Sequence, residues 1–306
     1  MAQAVKFDRY GEIDVLNVAE VPDPVAGPGQ VVVRVVAAGI NPGESKIRSG
    51  WLHDRWPATF PSGQGSDFAG RVAGLGPGVS GIAVGDEVLG FSNDRSSQAT
   101  HVLVPVEQVA PKPAGLSWDV AGSLFVAGTT AYAAARSVTP EAGDTIAVSG
   151  AAGGVGSLVV QLLRARDVTV IGIAGPGNHE WLRSVGAVPV AYGDGVADRI
   201  RDAAPDGLGA FIDTHGEGYV DMALELGVKP DRIDTIIDFA AVEKYGVKAE
   251  GNGNADTIDV LAELADLAAT GALEVPIAAT YPLAEVRAAF TELEAGHAHG
   301  KIVLRP

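Results

Sequence analysis

The nine residues SGAAGGVGS, Ser149–Ser157, constrain this chain more than any other stretch. They follow the apolar run TIAVS (Thr145–Ser149) and open Val155–Arg166, whose apolar residues recur at helical spacing. A strand that turns into a helix here needs a tight turn, bare backbone that can approach a pyrophosphate, and close helix–sheet packing. The template G-x-G-x-x-G maps onto Ala151, Gly153 and Gly156, with alanine in the first place. Gly153 and Gly154 supply the bare backbone, and Gly156 permits the packing. The N–H groups at the helix start then face phosphate oxygens. With the strand VTVIGI (Val168–Ile173) following, the segment predicts dinucleotide binding rather than a structural turn.

The rest of the chain extends this reading. A helix is expected at His179–Val185, and strands at Gly209–Asp213 and Thr235–Phe239. Strand–helix alternation implies a parallel sheet. Asp119–Arg136, Ala-rich and nearly uncharged, predicts one buried helix, and Thr257–Thr270 an amphipathic one. Before about Leu116 the rhythm differs. Short β-branched runs such as VVVRVV (Val31–Val36) and HVLVPV (His101–Val106), between Gly/Pro turns, predict a β-rich domain. GKIVLRP at the end reads as a last strand. A length of 306 residues fits two domains. Thr145–Leu163 carries no charge, yet its glycines, serines and glutamine favour a nucleotide turn over a membrane span.

The chain has no cysteine, which excludes disulfides, thiolate zinc sites, iron–sulfur clusters and a cysteine nucleophile. Its net charge of −16 argues against nucleic-acid binding and against docking on anionic lipid. Most of that charge lies after residue 113, in the half that carries the nucleotide turn. Oriented backbone N–H groups act within one helical turn, whereas distant charges are screened beyond ~8 Å at physiological salt. The charged N-terminal residues predict a cytosolic protein. No G-x-S-x-G occurs, and Tyr132 is followed at the fourth place by Arg136 rather than by the lysine of short-chain reductases.

An NAD site places an acid about 20 residues past the glycines, on the ribose hydroxyls. Here IGIAGPGNHE (Ile171–Glu180) has none before Glu180, and neither Lys nor Arg. Asn178, His179 and Arg183 are the polar partners at hand, and NADP(H) is the expected cofactor.

AAGINPGESKIRSG (Ala37–Gly50), PSGQGSDFAGRV (Pro61–Val72), GDEV (Gly85–Val88), AGTTAY (Ala127–Tyr132), the glycine turn and the terminal GKIVL form an ordered series. Together they resemble the medium-chain dehydrogenase/reductase superfamily, in its zinc-free, zeta-crystallin-like quinone oxidoreductase branch. The resemblance implies an α/β chain: a GroES-like, β-rich catalytic domain over residues 1–115, completed by 275–306, and a Rossmann domain with a doubly wound parallel sheet over 116–274. It implies a homodimer. Zinc-using relatives have a cysteine near Asn41 and a His–Glu pair where Ser66–Asp67 stand, so zinc is expected to be absent. An acceptor that already stabilises the added charge, a quinone or an enone, needs no Lewis acid. The implied activity is NADPH-dependent hydride transfer to such small molecules. The second reading is a nucleotide-binding sensor or structural protein on the same fold.

By position the resemblance places Asn41 and Pro42 beside the nicotinamide ribose, Thr130 near the cofactor, and Ala152, Gly153, Gly154 and Val155 on the pyrophosphate. Ala174, Gly175 and Asn178 would surround the adenosine ribose or its phosphate, and Tyr192 the adenine side. Thr214 and Phe239, Ala240 and Ala241 follow later strands, at the carboxyl ends where ligands bind. Asn41, Glu44 and Arg48 are the candidate catalytic residues. Plainer readings stand beside these: Asn41 as a helix cap, Glu44–Arg48 as a salt bridge, Trp51, Trp56 and Phe60 as core. His297 and His299 lack a third metal ligand nearby, His215 reads as a surface loop, and Asp213 and Asp238 as backbone anchors. Glu44, where aspartate is usual, and Trp51 depart from the family pattern.

Overall fold

The computed structural model describes all residues, 1–306. It divides into two units, Met1–Val126 with Thr257–Pro306, and Ala127–Asp256. The divisions fall at 126 and 256, where 115 and 274 were expected. The helix Ile258–Ala269 goes with the first unit because its buried face, Leu261, Leu264 and Ala265, packs against the strand Val109–Pro111.

The first unit is built on the strand Gln30–Ile40, in which Val31, Val32, Val33 and Val35 are buried, on both faces. It pairs antiparallel with Asp67–Leu75, with His101–Pro105 and with the last strand, Lys301–Arg305. The strand Ile277–Pro282 joins the last strand in parallel. Val31, Val33, Phe68, Val72, Val88 and Val102 form one core, and Phe7, Leu16, Ile40, Phe290 and Ile302 another. A second, three-stranded sheet runs Asn17–Val21, Ala2–Phe7, Ser62–Gly63.

Asp119–Arg136 is not one helix. Trp118–Ala121 ends at Gly122, and a new helix runs Phe125–Ser137. Gly122 lies so close to the long strand that a Cβ there would stand 2.4 Å from the Ala37 carbonyl oxygen. Its own carbonyl accepts from the Gly39 N–H at 2.6 Å, so the break places backbone where a helix would place side chains.

The second unit holds five parallel strands in the order Val188–Ala191, Thr169–Ala174, Thr145–Val148, Ala210–Asp213, Ile233–Thr235. By appearance in the chain this order is 3-2-1-4-5, the doubly wound order whose reversal lies beside the first strand. The last strand sits two residues earlier than expected, and Phe239 opens the helix Phe239–Tyr245. The Thr235 hydroxyl accepts from the Ile237 and Asp238 N–H groups, which turns the chain, and Asp238 caps the helix through the Ala241 N–H at 3.0 Å.

Asp234, fully buried on the edge strand, accepts from the Glu250 N–H at 2.8 Å. Burial pushes its carboxyl up to about 7. An acid whose pKa is raised on folding keeps its proton where the unfolded chain has lost it, so stability falls as pH rises from about 4 to about 7. Asp234→Asn is therefore expected to raise Tm by roughly 2–4 °C at pH 8, with the gain shrinking toward pH 5. Thermal melts of both proteins across that range check it, and a gain independent of pH would refute the assignment.

Candidate active site

In the second unit the predicted nucleotide residues gather at the carboxyl ends of the sheet. The turn after Val148 carries Ala152, Gly153, Gly154 and Val155, and Gly156 begins the helix Gly156–Arg164. A Cβ on Gly156 would stand 2.2 Å from the Gly150 carbonyl oxygen and 2.9 Å from Ala151 Cα, so only glycine fits. A Cβ on Gly153 would meet nothing but that same oxygen, at 3.3 Å. No side chain caps the helix; the Ser157 and Leu158 N–H groups bond to the Gly153 and Val155 carbonyls, which leaves the N–H groups of Gly154, Val155 and Gly156 for a ligand. These features suit the pyrophosphate of a dinucleotide.

Asp213, fully buried, ties the strand ends together. Its Oδ1 accepts from the Ser149 hydroxyl at 2.6 Å and from the His215 and Gly216 N–H groups at 3.0 and 2.9 Å. Its Oδ2 accepts from the Thr235 hydroxyl at 2.8 Å. Thr214 is held to Ser149 by two bonds, 3.0 and 2.7 Å. The backbone-anchor reading of Asp213 is thus correct, and it positions Thr214.

Ala174 ends the second strand, with Gly175 and Asn178 in the turn after it. A Cβ on Gly175 would lie 3.3 Å from Tyr192 Cε1, so the ring of Tyr192 occupies the space a larger residue would need. The turn that carries Tyr192 is clamped by Arg199, which donates to the carbonyls of Ala191, Tyr192, Gly193 and Asp194. Phe239, Ala240 and Ala241 open the capped helix after the fifth strand, and Thr130 lies in the helix Phe125–Ser137, facing Gly251. His215 is half-exposed and pairs with Glu217 at 3.5 Å.

In the first unit, Asn41 and Glu44 belong to a buried polar set. Asn41 precedes the helix Pro42–Ser49, and Glu44 reaches back to accept from its N–H at 3.2 Å. Glu44 also accepts from Asn41 Nδ2 at 3.3 Å, the Ser66 N–H at 3.3 Å and Gln98 Nε2 at 2.8 Å. Asn41 Nδ2 donates to Asp67 Oδ2 at 2.5 Å, and Asp67 Oδ1 accepts from the Val126 N–H at 2.7 Å. Lys301, from the last strand, donates to the Ile40 carbonyl at 2.9 Å and to Asn41 Oδ1. Burial, then the like charge of Asp67, push the Glu44 carboxyl up to about 7. Burial raises Asp67 and lowers Lys301.

Arg48 is not in this set. It is buried, donates to the Gly11 carbonyl at 3.2 Å, pairs with Glu294 at 2.8 Å and lies over the Phe290 ring. The expected Glu44–Arg48 ion pair is replaced, because the helix turns Glu44 toward Asn41 and Arg48 toward the helix Val286–Glu294. Trp51, Trp56 and Phe60 are 58, 48 and 40% exposed, so they are not core. Phe60 packs edge-on against Phe7 and Tyr10. The reading of the residues did not single out Lys301 or Gln98. The signal for Lys301 was a charge set inside the apolar strand KIVL, while an isolated glutamine gives none.

The set does not suit zinc. It offers no thiolate or imidazole, its two carboxylates already receive internal donors, and an ammonium stands among them. Nowhere do three or more His, Asp or Glu side chains gather as a ligand set. No helix is long and apolar enough to cross a membrane.

A β-rich unit with a buried polar set and a parallel-sheet unit with a nucleotide turn define an alcohol-dehydrogenase-like oxidoreductase. Residues 27–114 match the family model for an alcohol dehydrogenase GroES-like domain, and residues 183–304 that for a zinc-binding dehydrogenase. The 2-methylene-furan-3-one reductase of Solanum lycopersicum is 31% identical over 99% of this chain and 79% of its own length. An NADPH-dependent alkenal/one oxidoreductase of Arabidopsis thaliana is 30% identical over 98% and 78%. The quinone oxidoreductase structure from Coxiella burnetii superposes with a TM-score of 0.86, at 29% identity, covering 100% of this chain and 99% of that one. The chain belongs to the medium-chain dehydrogenase/reductase superfamily, in the zeta-crystallin-like quinone oxidoreductase branch, whose members bind nicotinamide cofactors.

Proposed function

We propose that this protein is an NADPH-dependent, zinc-independent reductase of quinones or enones, acting as a homodimer. The observation that carries the reading is the Lys301 ammonium bonded to Asn41, among residues where zinc-using relatives place metal ligands. Without a Lewis acid, the acceptor must stabilise the added charge itself, as quinones and α,β-unsaturated carbonyls do. The names of the tomato and Arabidopsis relatives agree with this class.

The turn Ala152–Val155 would hold the pyrophosphate through backbone N–H groups. Tyr192, over Gly175, would face the adenosine, and the segment Ile171–His179 carries no acid to reject a 2′-phosphate. Asn41 and Pro42 would lie beside the nicotinamide ribose. Bound NADPH supplies a hydride. The protein's contribution is alignment and exclusion of water, with the exposed aromatics Trp51, Trp56 and Phe60 offering apolar surface to a flat acceptor.

NADPH and NADH oxidation should be followed against quinones, enones and simple alcohols, with and without chelator. Turnover of quinones or enones, faster with NADPH and unchanged by chelator, is expected. Strict zinc dependence would overturn the mechanism. Tight NADPH binding without turnover of any acceptor would favour the sensor reading.

A further inference from the structure

Lys301 is almost wholly buried, and its only charged neighbours in the set are two carboxylates. These come from different elements: Glu44 from the helix Pro42–Ser49, Asp67 from the strand Asp67–Leu75. The other groups that face Glu44 are neutral donors: the N–H and Nδ2 of Asn41, the Ser66 N–H and Gln98 Nε2. An amide is oriented by what surrounds it, its oxygen toward a cation and its nitrogen toward anions. Asn41 meets both demands at once, oxygen to Lys301 and nitrogen to Glu44 and Asp67. With the ammonium removed, the Asn41 amide oxygen would lose the partner that holds it, and two buried acids would lose their compensating charge.

We propose that Lys301 is the positioning residue of this site: from the last strand it sets the direction of the Asn41 side chain and balances Glu44 and Asp67, so that the buried set governs the low-pH limit of activity. The proposal rests on the reading of Asn41 at the nicotinamide given above. Four donors point at the Glu44 carboxylate, so the arrangement around Asn41 needs the ionised form. That form is present above the Glu44 pKa and lost as pH falls through about 7. The Lys301 charge lowers that value, so removing the charge moves the limit to higher pH.

The test is kcat and KM against pH for the wild type, Lys301→Met and the double variant Lys301→Met/Asp67→Asn. At pH 7, Lys301→Met should lose roughly 10- to 100-fold in kcat, with KM for the acceptor changing less than about threefold. Its acid limb should move up by about one pH unit or more, and Asp67→Asn, by removing one of the two negative charges, should bring the limb back. A loss of kcat equal at all pH values, or no recovery in the double variant, would overturn the proposal. The titration is also readable without turnover or a folded Lys301 variant. In the wild type minus Glu44→Gln infrared difference, which cancels Asp234, a carboxylic-acid band should titrate near neutral pH, and its absence would overturn the proposal. If the wild type reduces no acceptor, the reading of function falls, and the infrared result decides this inference alone.

Discussion

Gly156→Val is expected to cost both the fold of the second unit and its nucleotide. Its Cβ would be driven to 2.2 Å from the Gly150 carbonyl oxygen, a backbone atom that cannot swing aside. Overpacking of this kind costs about 2–3 kcal/mol or more, so Tm should fall by roughly 5–10 °C. Gly153→Asp separates packing from binding. Gly153 has no positive φ, and its Cβ would meet a single atom at 3.3 Å, so the variant should melt within about 3 °C of the wild type. It sets a carboxylate against the proposed pyrophosphate site, and NADPH affinity should fall roughly 100-fold, about 2.7 kcal/mol. Melting curves and NADPH fluorescence titrations on both variants check the pair. Unchanged affinity in Gly153→Asp would remove the nucleotide site from this turn.

Asp213→Ala is the second large effect. It leaves the Ser149 and Thr235 hydroxyls and the His215 and Gly216 N–H groups without their acceptor, at the ends of three strands. Losing one partner of a buried, charge-assisted network costs about 3–5 kcal/mol, and Tm should drop by roughly 10 °C. Asp213→Asn keeps one acceptor oxygen for the Ser149 hydroxyl and the two N–H groups, while the Thr235 hydroxyl, whose lone pairs already accept from Ile237 and Asp238, loses its acceptor. It should lose about 1–2 kcal/mol. Equal losses in the two variants would show that volume, not hydrogen bonding, is what Asp213 contributes.

The nucleotide unit was legible because its demands are local. A strand, a glycine turn and a helix leave their marks within about twenty residues, and the structure places them where that spacing implies. The boundary errors have equally local causes. Gly122 breaks the Ala-rich segment because the long strand lies against it, a contact that no local pattern marks, and the apolar Ile236 and Ile237 mask the turn at Thr235. The buried set in the first unit was only half legible. Asn41 and Glu44 stood out three residues apart on one helix start, but Arg48, four residues on from Glu44, answers to Glu294 in another part of the chain.

The parallel-sheet unit, its glycine turn and the lack of any thiolate are all readable along the chain, since each is a matter of residue type at short spacing. Tertiary structure alone decided which charges meet. Asn41 is 26 residues from Asp67 and 260 from Lys301, and strand neighbours bring them together. No periodicity records that pairing, because hydrophobic pattern specifies which face of a strand is buried and not which strand will lie next to it.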